Sequence, residues 1–317
     1  MQVYHSLDSF PRGAPVALTL GTFDGVHFGH QRIIQKTLEA AKEIEGQSVL
    51  LTFDPHPREV IGRDGKTTYL LTTVEERLSL LQALGLDVAI VLPFTRDLSV
   101  LDAAVFFREF ILRSLQAQRV VIGVDHAFGR GRQGDAAALR TLGEEYGIEV
   151  SVISELLIGG VKVSSTAIRN ALKQGDVRQA REFLGRPYTL SGVVIRGADL
   201  GTSLGFPTAN IELMESNKLL PKNGVYVVRV RLNGFTHQGI MNIGLRPTVS
   251  EQMHISLEVH IFDFNADVYG MHMQVDLLER LRDEIRFEGT GQLAAQIQAD
   301  IDVARSYMKK EEQRIID

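Results

Sequence analysis

The chain has 317 residues, of which 44% are hydrophobic and 23% are charged, and its net charge at neutral pH is −5. These values are typical of a soluble globular protein with two domains of ordinary size, without the basic bias of proteins that bind nucleic acid or anionic membranes. The absence of cysteine excludes disulfides, a thiol nucleophile and a cysteine-based metal site.

The sequence shows no sign of a targeting or membrane segment. Residues 1–11 lack the charged start and apolar core of a signal peptide. No apolar run approaches the roughly 18 residues that would indicate a membrane span. We therefore expect a cytoplasmic enzyme that binds neither membranes nor nucleic acid.

The most informative stretch is residues 21–30, Gly-Thr-Phe-Asp-Gly-Val-His-Phe-Gly-His. An apolar run, residues 16–20, precedes it, and a helix-patterned run, residues 31–45, follows it. The pattern predicts a strand, a glycine-rich turn and a helix. Such a turn places backbone N–H groups and a helix N-terminus at the end of a strand, which favours phosphate binding.

Two histidines stand at the start of this helix. His27 and His30 are three residues apart, so both imidazoles can face one point, and Gly29 leaves room for a ligand to approach the backbone. A metal site is one interpretation, but this spacing lacks an obvious third ligand nearby. Imidazoles that donate to phosphate oxygens fit better, because nucleotidyl transfer builds negative charge there.

The first half of the chain alternates between strand and helix patterns. The predicted strands after the first are residues 48–53, 88–92, 120–124 and 148–153, and the predicted helices are residues 73–84, 103–115 and 135–146. Thr73 and Glu76 form a predicted capping box at the start of the helix over residues 73–84. Repeated β-α units predict a parallel, doubly wound sheet. Ligands of such sheets bind outside the carboxyl ends of the strands, and Asp24, Asp54 and Asp125 each follow a predicted strand there.

Three further segments of this half have candidate ligand contacts. Residues 54–57, Asp-Pro-His-Pro, form a stiff turn, which is either a strand terminator or a loop facing the substrate. Residues 123–134 form a glycine- and arginine-rich loop, which is either a ligand contact or a solvated connection. Residues 164–166 supply three hydroxyls at a predicted helix start, with Arg169 one turn later, which is more than a cap requires and suggests a second phosphate contact.

The pattern changes after two short predicted helices, residues 166–174 and 177–184. Six strand-like segments then follow at close spacing, and the Asn-Gly pair at residues 233–234 is a strong hairpin signal. Closely spaced strands with few helices predict an antiparallel β-barrel, and an amphipathic helix over residues 290–310 is expected to pack on it.

The predicted barrel contains its own candidate site. Gly201 and Gly205 allow a loop to come close to phosphates. Thr208 and Asn210 are two residues apart, so on a strand their oxygens share a face and could bind Mg²⁺. Glu258 lies within a strand pattern, where it is either a solvent-facing residue or a buried acid that needs a partner.

These motifs resemble those of a known family. Residues 21–30 resemble the nucleotide-binding motif of adenylyltransferases with the His-x-Gly-His pattern, and residues 197–210 closely resemble the riboflavin kinase loop with its Pro-Thr-Ala-Asn. Over residues 14–308 the chain resembles the bifunctional bacterial riboflavin kinase/FMN adenylyltransferases, also called FAD synthetases. The resemblance implies a Rossmann-like nucleotidyltransferase domain at residues 1–186, then a riboflavin kinase barrel with a C-terminal helix at residues 187–317.

The same resemblance implies substrates, a cofactor and residue roles. The substrates would be ATP, riboflavin and FMN, the product FAD and the cofactor Mg²⁺. Implied catalytic residues are His27, His30 and Glu258, the last as the base of the kinase reaction, and implied magnesium ligands are Thr208 and Asn210. Implied nucleotide or phosphate contacts are Gly21, Thr22, Asp24, Gly29, Asp125, Ser164, Ser165, Thr166, Arg169, Gly201 and Gly205. Implied flavin contacts are Phe53, Asp54, His56, Phe128, Arg282 and Phe287.

Two residues differ from the family pattern, and two other functions compete. Thr202 stands where many relatives carry a basic residue, and Leu245 replaces a residue that is often Thr. One alternative is a nucleotidyltransferase with another substrate and a passive barrel, and the other is a flavin-binding protein without catalysis. The presence of Glu258 and of the paired histidines favours the bifunctional enzyme.

The first prediction is that the two activities separate near residue 186, because each half has its own core and phosphate loop. A soluble, folded fragment of residues 1–186 is expected to convert FMN into FAD and to leave riboflavin unchanged. The measurement is chromatographic separation of riboflavin, FMN and FAD after incubation with ATP. Phosphorylation of riboflavin by the fragment would contradict the domain assignment.

Overall fold

The computed structural model describes residues 1–62, 68–197, 201, 204–247 and 253–316. The chain forms two compact units, Met1–Ser165 and Thr166–Asp317. None of the helices in the described ranges is both long enough and apolar enough to cross a membrane.

A six-stranded sheet forms the centre of the first unit. Its strands are β1 (Gln2–Tyr4), β2 (Val16–Leu20), β3 (Gln47–Asp54), β4 (Val88–Pro93), β5 (Ala117–Gly123) and β6 (Glu149–Ile153). Their order is β1-β4-β3-β2-β5-β6, and every neighbouring pair is parallel. The parallel sheet predicted from the sequence is therefore confirmed, although β1 was not among the predicted strands. The strand order reverses at β2, so the loops that follow β2 and β5 flank the crevice where such sheets bind ligands.

Helices cover both faces of this sheet. They are α1 (Phe28–Glu43), α2 (Pro57–Ile61), α3 (Val74–Ala83), α4 (Arg96–Ser99), α5 (Ala103–Phe106), which continues as a π-helical segment Phe107–Ser114, and α6 (Ala136–Tyr146). Each face of the sheet has its own hydrophobic core, and successive side chains of β3 point to opposite faces. Val49 and Leu51 pack with Phe107 and Ile111 on one face, whereas Leu50 packs with α1 and α3 on the other. The capping box predicted at Thr73 is present at the start of α3.

Six antiparallel strands form a closed barrel in the second unit. They are β9 (Tyr188–Ile195), β10 (Ala209–Leu213), β11 (Gly224–Leu232), β12 (Phe235–Pro247), β13 (Met253–Ile261) and β14 (His272–Arg282), after a short hairpin, β7 (Leu157–Ile158) and β8 (Val161–Lys162), in the first unit. The barrel order is β10-β13-β12-β11-β14-β9, closed by pairing of β9 with β10. Asn233 and Gly234 connect β11 to β12 with φ angles of 51° and 79°, as the predicted hairpin turn requires.

Among the described residues, the helices named for the second unit are α7 (Ser165–Gln174), α8 (Val177–Leu184) and α9 (Thr290–Ile316). Ile301, Ala304 and Met308 of α9 pack against β11, β12 and β14, as the sequence pattern predicts. The apolar face of α8 is buried, including Phe183, and α8 packs on β14 and β9. A fragment of residues 1–186 would carry α8 without these strands, so its folding has to be checked before its activity. The division of activities at residue 186 stays a prediction.

Candidate functional sites

The first site is built on the loop between β2 and α1. His27 caps α1, and its Nδ1 accepts a hydrogen bond of 3.3 Å from the His30 backbone N–H. Because Nδ1 accepts, the proton of the neutral ring lies on Nε2, which is then a donor. The rings of His27 and His30 stack with centroids 3.6 Å apart, so the structure brings both imidazoles to one place. A Cβ at Gly29 would lie 3.1 Å from the His27 ring, so a larger residue at this position would crowd the imidazole.

The backbone of this loop is strained. Phe23 and Val26 have φ angles of 49° and 40°, and Gly25 between them has 87°. A left-handed conformation is unusual for a β-branched residue such as Val26 and costs about 1–3 kcal/mol per residue. Such a conformation persists only where surrounding contacts fix it, so the neighbours of this loop decide its shape.

Asp24 makes the main connection that holds the loop. Its Oδ1 accepts hydrogen bonds from the backbone N–H groups of Leu71 and Thr72, each at 3.0 Å, and the Thr72 hydroxyl accepts one from Gly25 N–H at 3.0 Å. The Ser165 hydroxyl donates to the Asp24 carbonyl at 2.9 Å. Asp24 and Ser165 thus position the loop, and their direct contact with a nucleotide stays a prediction.

Arg77 of α3 makes a second connection that sequence reasoning missed. Its buried guanidinium donates from Nη1 to the Thr22 carbonyl at 2.6 Å. Burial lowers the pKa of Arg77, and the carboxylates of Asp24 and Asp54 offset part of that effect. The signal in the sequence was an arginine four residues before Leu81, on the apolar face of the helix.

The loop after β3 contains the predicted flavin contacts of the first unit. His56 caps α2, and its Nδ1 accepts from Arg58 N–H at 3.1 Å, so this imidazole has a local structural role. Phe53 packs edge-on against Phe94 with ring centroids 5.5 Å apart. Asp54 is exposed at the end of β3.

The loop after β5 and the start of α7 contain the remaining residues predicted for the first site. Asp125 pairs with Lys162 at 2.6 Å, and Lys162 also pairs with Glu155 at 2.8 Å, which raises the pKa of Lys162 through hydrogen bonds to Asp125 and Glu155. Phe128 packs on Phe106 with ring centroids 5.2 Å apart. The remaining predicted residues lie close together in the chain: Ser164 precedes α7, and Thr166 and Arg169 lie within it, in the second unit.

The second site is a cavity of about 330 Å³ in the barrel unit. It brings together five of the predicted residues, Gly201, Thr208, Glu258, Arg282 and Phe287. Gly205 and Asn210 are not among the described residues that line it. The lining also contains Asn242, Ser256, His260 and Asp300, which sequence reasoning missed as site residues, and Glu284, which belongs to the segment at Arg282 that the resemblance places on the flavin side. Among the described residues, eight apolar and eight polar side chains line the cavity, and an apolar wall with converging polar groups is typical of a small-molecule site.

Glu258 lies at the centre of a polar row across three strands. In β13 it is directly opposite Asn210 of β10 and Asn242 of β12, so the three side chains point to the same face. The Ser256 hydroxyl donates to Glu258 Oε1 at 2.8 Å. Thr208 directly precedes β10. The backbone of Gly201 lies close to the Thr208 hydroxyl, because a Cβ added at Gly201 would be only 3.1 Å from that oxygen.

Arg282 is held by the C-terminal helix. Its Nε and Nη2 donate to the Asp300 carboxylate of α9 at 3.0 and 2.7 Å, and Gln296 donates to the same carboxylate at 2.9 Å. Bidentate pairing of this kind fixes the plane of a guanidinium.

Two residues differ from the family pattern. Thr202 lies outside the described residues, and Leu245 belongs to β12, where its backbone pairs with Ile255.

Comparison with known proteins identifies the family. The family model of FAD synthetase matches residues 11–167, and that of riboflavin kinase matches residues 184–308. The bifunctional riboflavin kinase/FMN adenylyltransferase of Escherichia coli (strain K12) is 37% identical over 96% of this chain and 96% of its own length. The chain belongs to this family. The bifunctional enzyme of Listeria monocytogenes is 36% identical over 92% of both chains.

A solved structure has a similar fold over nearly the whole chain. A protein of Streptococcus pneumoniae described as a macrolide-efflux protein shares the fold with a TM-score of 0.88 and 30% identity, over 96% of this chain and 98% of that one. The FAD synthetase match falls on the parallel-sheet unit except for its last two residues, and the riboflavin kinase match falls on the barrel unit.

One partly buried histidine in the parallel-sheet unit leads to the second prediction. His126 lies beside Gly21 and stacks on Phe128, and its Nε2 is buried without a hydrogen bond to the described residues. Burial, with a smaller effect of Arg132, lowers the pKa of His126 from 6.5 to about 4. Between pH 6.5 and about pH 4, the imidazole of His126 is therefore protonated in the unfolded chain but not in the folded chain. The free energy of unfolding is retained above pH 6.5 and falls as the pH drops toward 4.

Replacing His126 with Phe should remove this dependence, because the ring stack is kept and the titrating group is lost. Between about pH 7.5 and about pH 5, the wild type is expected to lose about 1–2 kcal/mol more unfolding free energy than the variant. Urea unfolding followed by circular dichroism at both pH values measures this difference. The exposed His5 supplies a matched control, His5→Gln, which should behave as the wild type. Equal losses in wild type and His126→Phe would refute the prediction.

Proposed function

We propose that the two activities of this enzyme reside in the two compact units. The barrel unit transfers the terminal phosphoryl group of ATP to the 5′-hydroxyl of the riboflavin ribityl chain, which gives FMN. The parallel-sheet unit joins FMN to the AMP part of ATP, releases pyrophosphate and gives FAD. The observation that carries this proposal is the barrel cavity, in which Thr208, Glu258 and Phe287 converge.

In the kinase reaction, Glu258 acts as the general base. A hydroxyl is a weak nucleophile at neutral pH, so a carboxylate within hydrogen-bond reach assists by accepting its proton. Phe287 and the other apolar side chains of the wall suit a planar aromatic ring, whereas the polar row at Glu258 suits the ribityl chain. This arrangement directs the hydroxyl end of riboflavin toward the base.

The loop beside the cavity is proposed to hold the phosphates and a magnesium ion. Thr208 and Asn210 supply a hydroxyl and an amide oxygen, which are ligand types that Mg²⁺ accepts alongside water and substrate phosphates. Gly197 leaves the space that the Asn210 amide occupies, since a Cβ there would overlap it. When bound, Mg²⁺ would neutralise charge on the ATP phosphates.

In the adenylyltransferase reaction, the chain positions its substrates and stabilises charge. The phosphate of FMN is already a nucleophile and needs no base. Nε2–H of His27 is a donor for the oxygens of the ATP α-phosphate, where negative charge builds in the transition state. The strained loop, fixed by Asp24 and Arg77, holds this donor before the substrates arrive, which removes the cost of arranging it during the reaction. Thr166 and Arg169 are proposed as further phosphate contacts.

One assay tests the whole assignment. The full-length protein is incubated with riboflavin, ATP and Mg²⁺, and riboflavin, FMN and FAD are separated by chromatography. We expect FMN to appear first and FAD to follow, with one pyrophosphate released per FAD, and we propose that both reactions take place in the cytoplasm. FAD formation from FMN without any FMN formation from riboflavin would favour the passive barrel, and binding without turnover would favour a flavin-binding protein. A Glu258→Gln, His30→Ala double variant, purified in parallel, controls for contaminating enzymes.

A further inference from the structure

We propose that Ser256 is a positioning residue for the kinase reaction, and that its hydroxyl sets the orientation of the Glu258 carboxylate. The inference rests on the proposed role of Glu258 as base. Ser256 and Glu258 are two residues apart on β13, so their side chains share one face of the strand. Both line the cavity, and the Ser256 hydroxyl donates to Glu258 Oε1 at 2.8 Å, a normal length for this type of hydrogen bond.

A glutamate base needs such a partner because its side chain is flexible. The strand fixes the Cα and Cβ of Glu258 opposite Asn210 and Asn242, but three torsions remain between the backbone and the carboxylate. A hydrogen bond to one carboxylate oxygen selects a rotamer and so places the other oxygen. General-base catalysis requires the base within hydrogen-bond reach of the proton that it accepts. An ill-placed carboxylate would therefore slow the reaction without weakening riboflavin binding.

The surroundings of Ser256 leave space for this contact. Its partner across β12 is Gly244, which has no side chain, and a Cβ at Gly244 would collide with the Glu284 carboxylate and crowd the Asn242 amide. The glycine thus lets two further polar side chains of the cavity lie beside the Ser256–Glu258 pair. Of these side chains, the Ser256 hydroxyl is the one proposed to orient the base, through its hydrogen bond to Glu258 Oε1.

The test uses four full-length variants: Ser256→Val, Ser256→Thr, Glu258→Gln and the combination of Ser256→Val with Glu258→Gln. Val and Thr have nearly the same shape and both suit a strand, so the pair differs mainly in the hydroxyl. Steady-state kinetics of FMN formation give kcat and KM for riboflavin. FAD formation from supplied FMN, measured on the same preparations, together with circular dichroism reports whether each variant is folded.

We expect Ser256→Val to lower kcat for FMN formation about 10-fold, with KM for riboflavin within about twofold, because only the placement of the base is lost. Ser256→Thr should recover most of kcat. In the Glu258→Gln background, Ser256→Val should cause little further loss, because no base remains to be placed.

Several results would overturn the proposal. They are a Ser256→Val enzyme as active as Ser256→Thr, a change confined to KM, or a loss that is undiminished in the Glu258→Gln background. If Glu258→Gln itself keeps the kinase activity, the base assignment fails, and with it the positioning role. If Ser256→Val lowers kcat only when Glu258 is intact, the result supports both the base assignment and the positioning role. If Ser256→Val does not fold, the comparison passes to Ser256→Ala with Ser256→Thr.

Discussion

Replacing Glu258 with Gln is expected to reduce FMN formation from riboflavin by about 10²–10⁴-fold, the usual contribution of a general base. Gln keeps the shape of the side chain and an oxygen that can accept the Ser256 hydroxyl, but it cannot take a proton from the substrate. FAD formation from supplied FMN should stay near the wild-type rate, because that reaction starts from a phosphate. Two parallel assays on one purified variant measure both activities.

The barrel cavity offers a matched control for this variant. Glu284 is a second carboxylate in its lining, and Asn223 donates to it at 3.3 Å. Glu284→Gln makes the same chemical change in the same cavity, and we expect it to retain most kinase activity. Kinase activity of Glu258→Gln within about threefold of wild type, well below the general-base range, would remove Glu258 from the mechanism.

Riboflavin binding separates catalysis from substrate anchoring. We propose that other groups, Phe287 and the region of Arg282, bind the flavin ring, and Asp300 already holds Arg282. A fluorescence titration of Glu258→Gln with riboflavin should therefore give a dissociation constant close to that of the wild type. Loss of binding together with loss of turnover would instead make Glu258 a substrate anchor.

Replacing His27 or His30 with Ala is expected to lower FAD formation by about 10²–10³-fold, as for the loss of one oxyanion-hole donor. Riboflavin phosphorylation should hardly change, because the cavity proposed for that reaction is lined by residues of the barrel unit. Steady-state assays of both reactions on each variant measure these effects. Equal loss of both activities would indicate a folding defect or a shared site.

The structure adds a necessary control at His27, because this residue also caps α1. Removal of an N-cap costs about 1 kcal/mol of stability, whereas Asn is a strong capping residue. His27→Asn should therefore keep the stability of the wild type and still lose FAD formation, while His27→Ala loses both. Thermal unfolding and the FAD assay separate the two effects. If His27→Asn restores FAD formation, capping explains the phenotype of His27→Ala.

The sequence by itself determined the architecture and the main candidates of both sites. Strand and helix periods reflect which residues are buried, and caps and turns depend on neighbouring residues only. The parallel sheet, the capping box at Thr73 and the Asn233–Gly234 turn were therefore predictable. The paired histidines were predictable for the same reason, since they share one helix start. Motif resemblance supplied the family, which the comparisons confirm.

The tertiary structure alone decided how these candidates are held. Asp24 reaches Leu71 across 47 positions, Arg77 reaches Thr22 across 55, and Asp300 reaches Arg282 from a separate helix. The packing of α8 on the barrel and the place of Asn242 beside Glu258 likewise became visible only in the fold. A local pattern records whether a side chain is buried, but the partner of a buried polar group is chosen by the packing of distant segments.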